Sequence, residues 1–135
     1  MDDTFTSRSM LICDEVREEV GGKQIIIGAY AGAILLPFVP FYALKLTIRI
    51  EIKAYKSHYE HAECTVLRPN GSIFSHDTRT FDVKFLEFPT SVIFTLSGLN
   101  FEHTGGYTVL LAMDSTPVSV GSFFIVTPED VPQRT

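Results

Sequence analysis

The stretch Leu44 to Ala54 reads L-K-L-T-I-R-I-E-I-K-A. Leu44, Leu46, Ile48, Ile50, Ile52 and Ala54 alternate with Lys45, Thr47, Arg49, Glu51 and Lys53. A period of two places every apolar side chain on one face of an extended chain and every charge on the other. A strand buried in a parallel sheet would be apolar on both faces, so this one belongs to an antiparallel sheet with one wet side.

Toward the C-terminus the same period recurs. Ala62, Cys64 and Val66 alternate with Glu63 and Thr65, and Pro69-Asn70-Gly71 then supplies a tight turn into Ile73-Phe74. Phe81, Val83 and Phe85 form one inward set, Val92, Phe94 and Leu96 a second, and Tyr107, Val109, Leu111 and Met113 a third. Asp114-Ser115-Thr116-Pro117 is a turn, and Val118 to Val126 is the last strand. Val109-Leu110-Leu111 and Phe123-Phe124-Ile125-Val126 break the alternation, which points to burial on both faces or to a partner covering one of them.

Toward the N-terminus, Met10 to Cys13 reads as a strand. Asp14 to Val20 is open between a short helix capped by Gly21 and a hairpin that turns at Gly21-Gly22 into Ile25-Ile26-Ile27, with strand, turn, strand preferred. Eight or nine short strands, no long helix and 135 residues predict a single all-β domain. The expected form is an antiparallel two-sheet sandwich of immunoglobulin-like or similar topology, with a small barrel as runner-up. The domain is expected over residues 1–128, with a polar tail at 129–135.

Composition narrows function by exclusion. With 11 Lys+Arg against 16 Asp+Glu, a net charge of −5 argues against a nucleic-acid binder. The opening M-D-D-T-F-T-S-R-S-M lacks a basic start and an apolar run, and no stretch is long enough to span a membrane. The expected compartment is the cytoplasm, with Cys13 and Cys64 as buried free thiols.

Residues that could carry chemistry are few. His58, His61 and Cys64 have the spacing H-x-x-H-x-x-C and ligand types suited to zinc. On a strand, however, residues three apart point to opposite faces, and the fourth ligand would have to be His76 or His103. Asp14, Glu15, Glu18 and Glu19 surround Arg17 and read as a solvated run. No nucleophile elbow, P-loop or dinucleotide fingerprint occurs. No enzyme, cofactor or metal is expected. Gly105-Gly106-Tyr107 reads as a structural corner, in which a tyrosine opening a late strand bonds back to the preceding bend.

The segment Ala29 to Leu44, A-Y-A-G-A-I-L-L-P-F-V-P-F-Y-A-L, is the anomaly. Pro37 and Pro40 forbid a central strand, yet the segment is too apolar for an ordinary exposed connection. It either seals the core or forms a contact surface. The leading functional expectation is a non-enzymatic module that binds a protein partner or itself through Ile34, Leu35, Leu36, Phe38, Val39 and Phe41 and a sheet edge. The alternative is a small-molecule or carbohydrate binder with a site among Tyr30, Tyr42 and Tyr55.

C-D-E-V-R-E-E-V-G-G-K-Q-I-I-I-G-A-Y-A-G, Cys13 to Gly32, resembles the opening of a family of short uncharacterised bacterial proteins. The shared features are the Cys-Asp pair, the Arg-Glu segment, Lys after glycines, and Ile-Gly-x-Tyr. Gly106-Tyr107 and the terminal strands also look like that family's closing pair. The resemblance implies a single bacterial or phage-borne β domain of unknown function and transfers no catalytic residue.

Overall fold

A computed structural model describes residues 4–130; the side chains of Ala43 and Leu44 are left aside. Ten strands follow in order: β1 (Phe5–Cys13), β2 (Glu15–Glu18), β3 (Gln24–Ile27), β4 (Ala33–Leu35), β5 (Phe41–Ala54), β6 (His58–Leu67), β7 (Ile73–Asp82), β8 (Thr90–Phe101), β9 (Gly105–Met113) and β10 (Val118–Val126). The expected tail starts as a short 3-10 turn at Pro128–Asp130, and residues 131–135 lie outside the described residues.

Two sheets form the sandwich. One runs β1-β5-β8, and the other runs β4-β10-β9-β6-β7. All pairs are antiparallel except β4, which lies parallel to β10. The long alternating strand sits at the centre of the first sheet and begins at Phe41, three residues before its alternation starts, pairing there with Phe101. Ile48, Ile50 and Ile52 are fully buried, as the period requires, and they meet Cys64, Val66, Val109, Leu111 and Ile125 from the other sheet.

The two seams of the sandwich close differently. At one, Gly121 lets β1 approach β10: a Cβ there would lie 2.7 Å from the Met10 methyl. At the other, the Arg79 guanidinium on β7 donates to the Ile93 carbonyl on β8 at 2.9 Å. No strand pairs with the free side of β8 among the described residues.

Tyr107 makes a corner. Its buried hydroxyl donates to the His103 carbonyl at 2.7 Å, and its ring stacks on Phe123 with centroids 5.4 Å apart. Gly105, with φ of 121°, brings the chain into that bend beside Pro69. The strand expected through Phe81, Val83 and Phe85 is shorter than its alternation suggested. β7 ends at Asp82, Val83 turns into the core, and Phe85 packs edge-on against Phe88 in an exposed connection that Pro89 ends.

The segment Asp14 to Ile27 is a hairpin, β2–β3, that turns at Gly21 and Gly22, both with positive φ. It lies over the outward face of β5. Thr47 donates to the Asp14 carbonyl at 3.1 Å, Arg49 Nε donates to Gln24 Oε1 at 2.8 Å, and Lys45 reaches Glu15 at 3.8 Å. Thr47 is therefore buried although it stands on the polar side of its strand. The motif that carries the family resemblance is the lock of this hairpin. Asp14 Oδ1 accepts from the Tyr30 hydroxyl at 3.0 Å. A Cβ at Gly28, whose φ is 67°, would fall 2.1 Å from Asp14 Oδ2. Only glycine leaves room there for the carboxylate.

Candidate functional site

The apolar segment divides by its pleat. Along β4, Ile34 lies opposite Ile125 and points inward, Leu35 points outward, and Leu36 points inward again after its N–H bonds the Val126 carbonyl at 2.9 Å. Ile34 and Leu36 are core side chains, so the expectation that they contact a partner is corrected: in the folded chain they are already covered. Val39 and Phe41 are half-buried against the same core. Between Leu36 and Phe41 the chain crosses from one sheet to the other, which is where Pro37 and Pro40 fit without breaking a ladder. Leu35 and Phe38, each 61% exposed, are the members of the six that stand free.

Leu35 opens onto a wider surface, the outer face of the five-stranded sheet. Phe124 projects there beside β4, 51% exposed, and its ring lies over Gly106, where a Cβ would come within 3.1 Å. Thr108 and Leu110 of β9 follow, then Thr65 and Leu67 of β6, and Ile73 at the far edge on β7, 60% exposed. Between the row Ala112–Glu63–Thr78 and the row Phe124–Gly106, the register places two titratable side chains outward among the described residues. They are Glu63 and His76, 4.0 Å apart and opposite in type. The charged edge residues Asp77 and Arg79 fall on the inward register of β7, facing the seam. Surfaces of soluble domains are ordinarily about a quarter to a third charged. This face is depleted of charge and carries several aliphatic and aromatic side chains, the composition of an interface centre.

The other outer surface is different. Between the hairpin tip and the β7–β8 connection lies an open groove of about 760 Å³. Glu18, Lys23, Arg79, Asp82 and Lys84 line it together with Phe81, Phe85 and Phe88. The three tyrosines expected to share a ligand site are not gathered. Tyr30 is held at the hairpin base by Asp14, whereas Tyr42 and Tyr55 stand near opposite ends of β5. At ~3.3 Å per residue that separation is roughly 40 Å.

The H-x-x-H-x-x-C residues do not converge either. Cys64 is fully buried inward and His61 is exposed. His58 lies between two carboxylates, with Nδ1 2.7 Å from Asp82 and Nε2 2.9 Å from Glu60. His103 lends its carbonyl to Tyr107. Among the described residues no group of three or more His, Cys, Asp or Glu is placed to hold a metal ion. Asp114, at φ 53°, clamps the irregular start of β6: it accepts from the Lys56 ammonium at 2.8 Å and from the His61 and Glu60 N–H groups at 2.7 and 3.0 Å. The Lys56 ammonium, with those two N–H groups, holds its carboxyl below the usual range.

Two expected results follow from these environments. Burial, with the Asp77 charge nearby, pushes the Cys64 thiol up to about 12. It should stay unreactive toward a thiol reagent at pH 8 and react only on unfolding; fast labelling of the native chain at Cys64 would contradict its placement. The hydrogen bonds to Asp82 and then Glu60 raise His58 above its ordinary value. A raised value means the protonated ring is favoured by the fold. Its contribution is complete below about pH 6.5 and is lost as pH rises through the native value. An NMR titration should place the His58 midpoint above that of a free histidine; a midpoint at or below it would refute the paired geometry.

These features define a class: an all-β two-sheet sandwich with a tyrosine corner, an added hairpin, and an outer sheet face depleted of charge. The chain belongs to the family of unknown function DUF6941, whose model matches residues 8–126. No curated protein matches it. No helix of the described residues is long and apolar enough to cross a membrane.

Proposed function

We propose that the chain is a non-enzymatic protein-interaction module, working in the cytoplasm of a bacterium or its phage. Its contact surface is the outer face of the five-stranded sheet, extended at one side by Leu35 and Phe38. The observation that carries this reading is the charge depletion of that face combined with the exposure of Leu35, Ile73 and Phe124. Apolar anchors surrounded by uncharged side chains lose little on desolvation and gain from burial. The compartment is supported by two cysteines that are buried and unpaired.

The test is the double variant Leu35→Ser, Phe124→Ser. Both side chains lie outside the core, so the melting temperature should hold within a few degrees, while the partner captured by the immobilised wild-type chain should no longer be captured by the variant. Equal capture by both chains, with equal melting, would refute this surface.

A second reading, a small-molecule or carbohydrate-binding sandwich, is favoured by the groove under the hairpin, where Phe85 and Phe88 stand exposed beside polar side chains. A saccharide array on the wild type and on Phe85→Ala, Phe88→Ala tests it: binding lost in the variant would support it, and no binding at all would dismiss it.

A further inference from the structure

We infer that the free edge of β8 is a docking site for an extended segment of another protein, which adds to the sheet β1-β5-β8 as a further strand and carries a carboxylate toward Arg79. This site is separate from the outer face of the five-stranded sheet and does not depend on it.

The backbone specifies the occupant. The Ile93 carbonyl points away from β5, because it accepts from Arg79 on β7 at 2.9 Å. The far side of β5 agrees. Ile12 of β1 also turns its carbonyl away from β5, toward the Tyr30 N–H at 2.9 Å. Ile12 stands opposite Ile48, so Ile48 aims its N–H and C=O at β8, and Arg49, opposite Ile93, aims its own at β1. Along a strand the same orientation returns at every second residue. Ser91, Ile93, Thr95 and Ser97 therefore direct their N–H and C=O groups outward, and no backbone partner meets them among the described residues. Such a row of donors and acceptors is matched, apart from water, by another extended backbone.

This edge is unguarded, and the others are not. Lysine, proline, inward charge and shortness are the devices that protect free edges from strand addition. β7 carries Asp77 and Arg79 on its inward register. β4 has 3 residues, and Pro37 follows it closely. β1 closes on β10 at Gly121 and is bridged to Tyr30 at Ile12. β8 has 12 residues, Thr90–Phe101, and contains no Lys, Arg, Asp, Glu or Pro. Its straight run, Ser91 to Ser97, stops where Gly98 takes a φ of 62°. At ~3.3 Å per residue that run is roughly 20 Å long, the length of an ordinary strand. Thr95 and Ser97 within it are exposed.

Arg79 supplies the charge that selects among strands. Its hydrogen bonds go to carbonyls alone, those of Ile93 and Thr80, and it is in no ion pair among the described residues. An incoming N–H takes over the Ile93 carbonyl. The released guanidinium, already at the edge, then pairs with a carboxylate on the added strand in a charge-assisted contact.

The probe is a phage-displayed library of random peptides of about ten residues, enough to cover the open run. It is selected on the immobilised full chain and on Thr95→Pro. Proline at an outward N–H leaves the β5 ladder intact, yet removes one donor and places its ring where the incoming backbone must lie. We expect enriched peptides that alternate apolar residues and keep an Asp or Glu at a fixed place. A synthetic copy of one should slow amide exchange at Ser91, Ile93, Thr95 and Ser97, leave Leu35 and Phe124 unchanged, and bind Thr95→Pro at least about tenfold more weakly. A thermal melt confirms that the variant is folded. If it is not, Thr95→Lys replaces it, since an edge lysine opposes strand addition without removing a ladder hydrogen bond. No enrichment on the wild type, equal binding by the variant, or protection at Leu35 and Phe124 instead would overturn the site. Enriched peptides without a shared carboxylate would overturn the role of Arg79. A wild-type dimer in sedimentation that Thr95→Pro dissolves would give the edge to a second copy and overturn the separate partner.

Discussion

Ile48→Asp is expected to abolish folding of the isolated chain, or to cost more than about 4–5 kcal/mol, at the extreme of single-site effects. Ile48 is fully buried at the centre of β5, between two neighbouring strands and facing the second sheet. A carboxylate there has no partner, and an unpaired buried charge costs several kcal/mol after every relaxation. Native domains hold only about 5–15 kcal/mol in total. Arg49→Asp, one residue along, should cost on the order of 1–2 kcal/mol. It would lose the hydrogen bond to Gln24 and place a carboxylate beside Glu51, on a face that remains half open. Chemical denaturation of both variants checks the pair. Equal losses would mean that the hairpin buries the polar face of β5 as deeply as the core face.

The second large effect divides the apolar segment. Leu36→Ala should lower stability by about 2–5 kcal/mol, the range for truncating a buried leucine. Leu35→Ala, its neighbour, should stay within about 0.5 kcal/mol. Leu36 is buried just past the end of β4, whereas Leu35, the last residue of that strand, is exposed on the opposite side. Urea unfolding of the two variants at equal m-values measures the contrast. A loss at Leu35 as large as that at Leu36 would show that β4 is covered on both faces within one chain, and would remove Leu35 from the proposed contact surface.

The proposed contact surface is legible in the sequence only in fragments. Leu35 and Phe38 stood out because the segment around Pro37 and Pro40 is too apolar for a connection. Leu110 and Phe124 stand out in the sequence only as interruptions of an alternating pattern. That an apolar residue breaks the alternation is visible in sequence; which other interruptions it joins is not. Leu67 and Ile73 carried no separate signal, since single apolar residues at strand ends are common. Their assembly with Leu35 and Phe124 depends on the order β4-β10-β9-β6-β7, which brings strands from distant parts of the chain side by side. The tyrosine-lined site failed for the converse reason: Tyr42 and Tyr55 share a strand, and a strand keeps its ends far apart.

What the sequence alone determined is the local geometry. The period of two from Leu44 to Ala54 dictates a strand and its buried side. Asn70-Gly71 and Gly21-Gly22 dictate turns by admitting positive φ, and Gly105-Gly106-Tyr107 dictates the bend before β9. These follow from sterics within a few residues. The tertiary structure decided what lies on the far side of each strand. Thr47 alternates as a solvent-facing residue yet is buried, because the β2–β3 hairpin folds back over it and Asp14 accepts its hydroxyl. Phe124 sits between two buried residues yet is exposed, because no part of the described chain covers that face. Periodicity reports that two faces differ or agree in polarity; which of them meets water, another strand or another molecule is set by long-range packing.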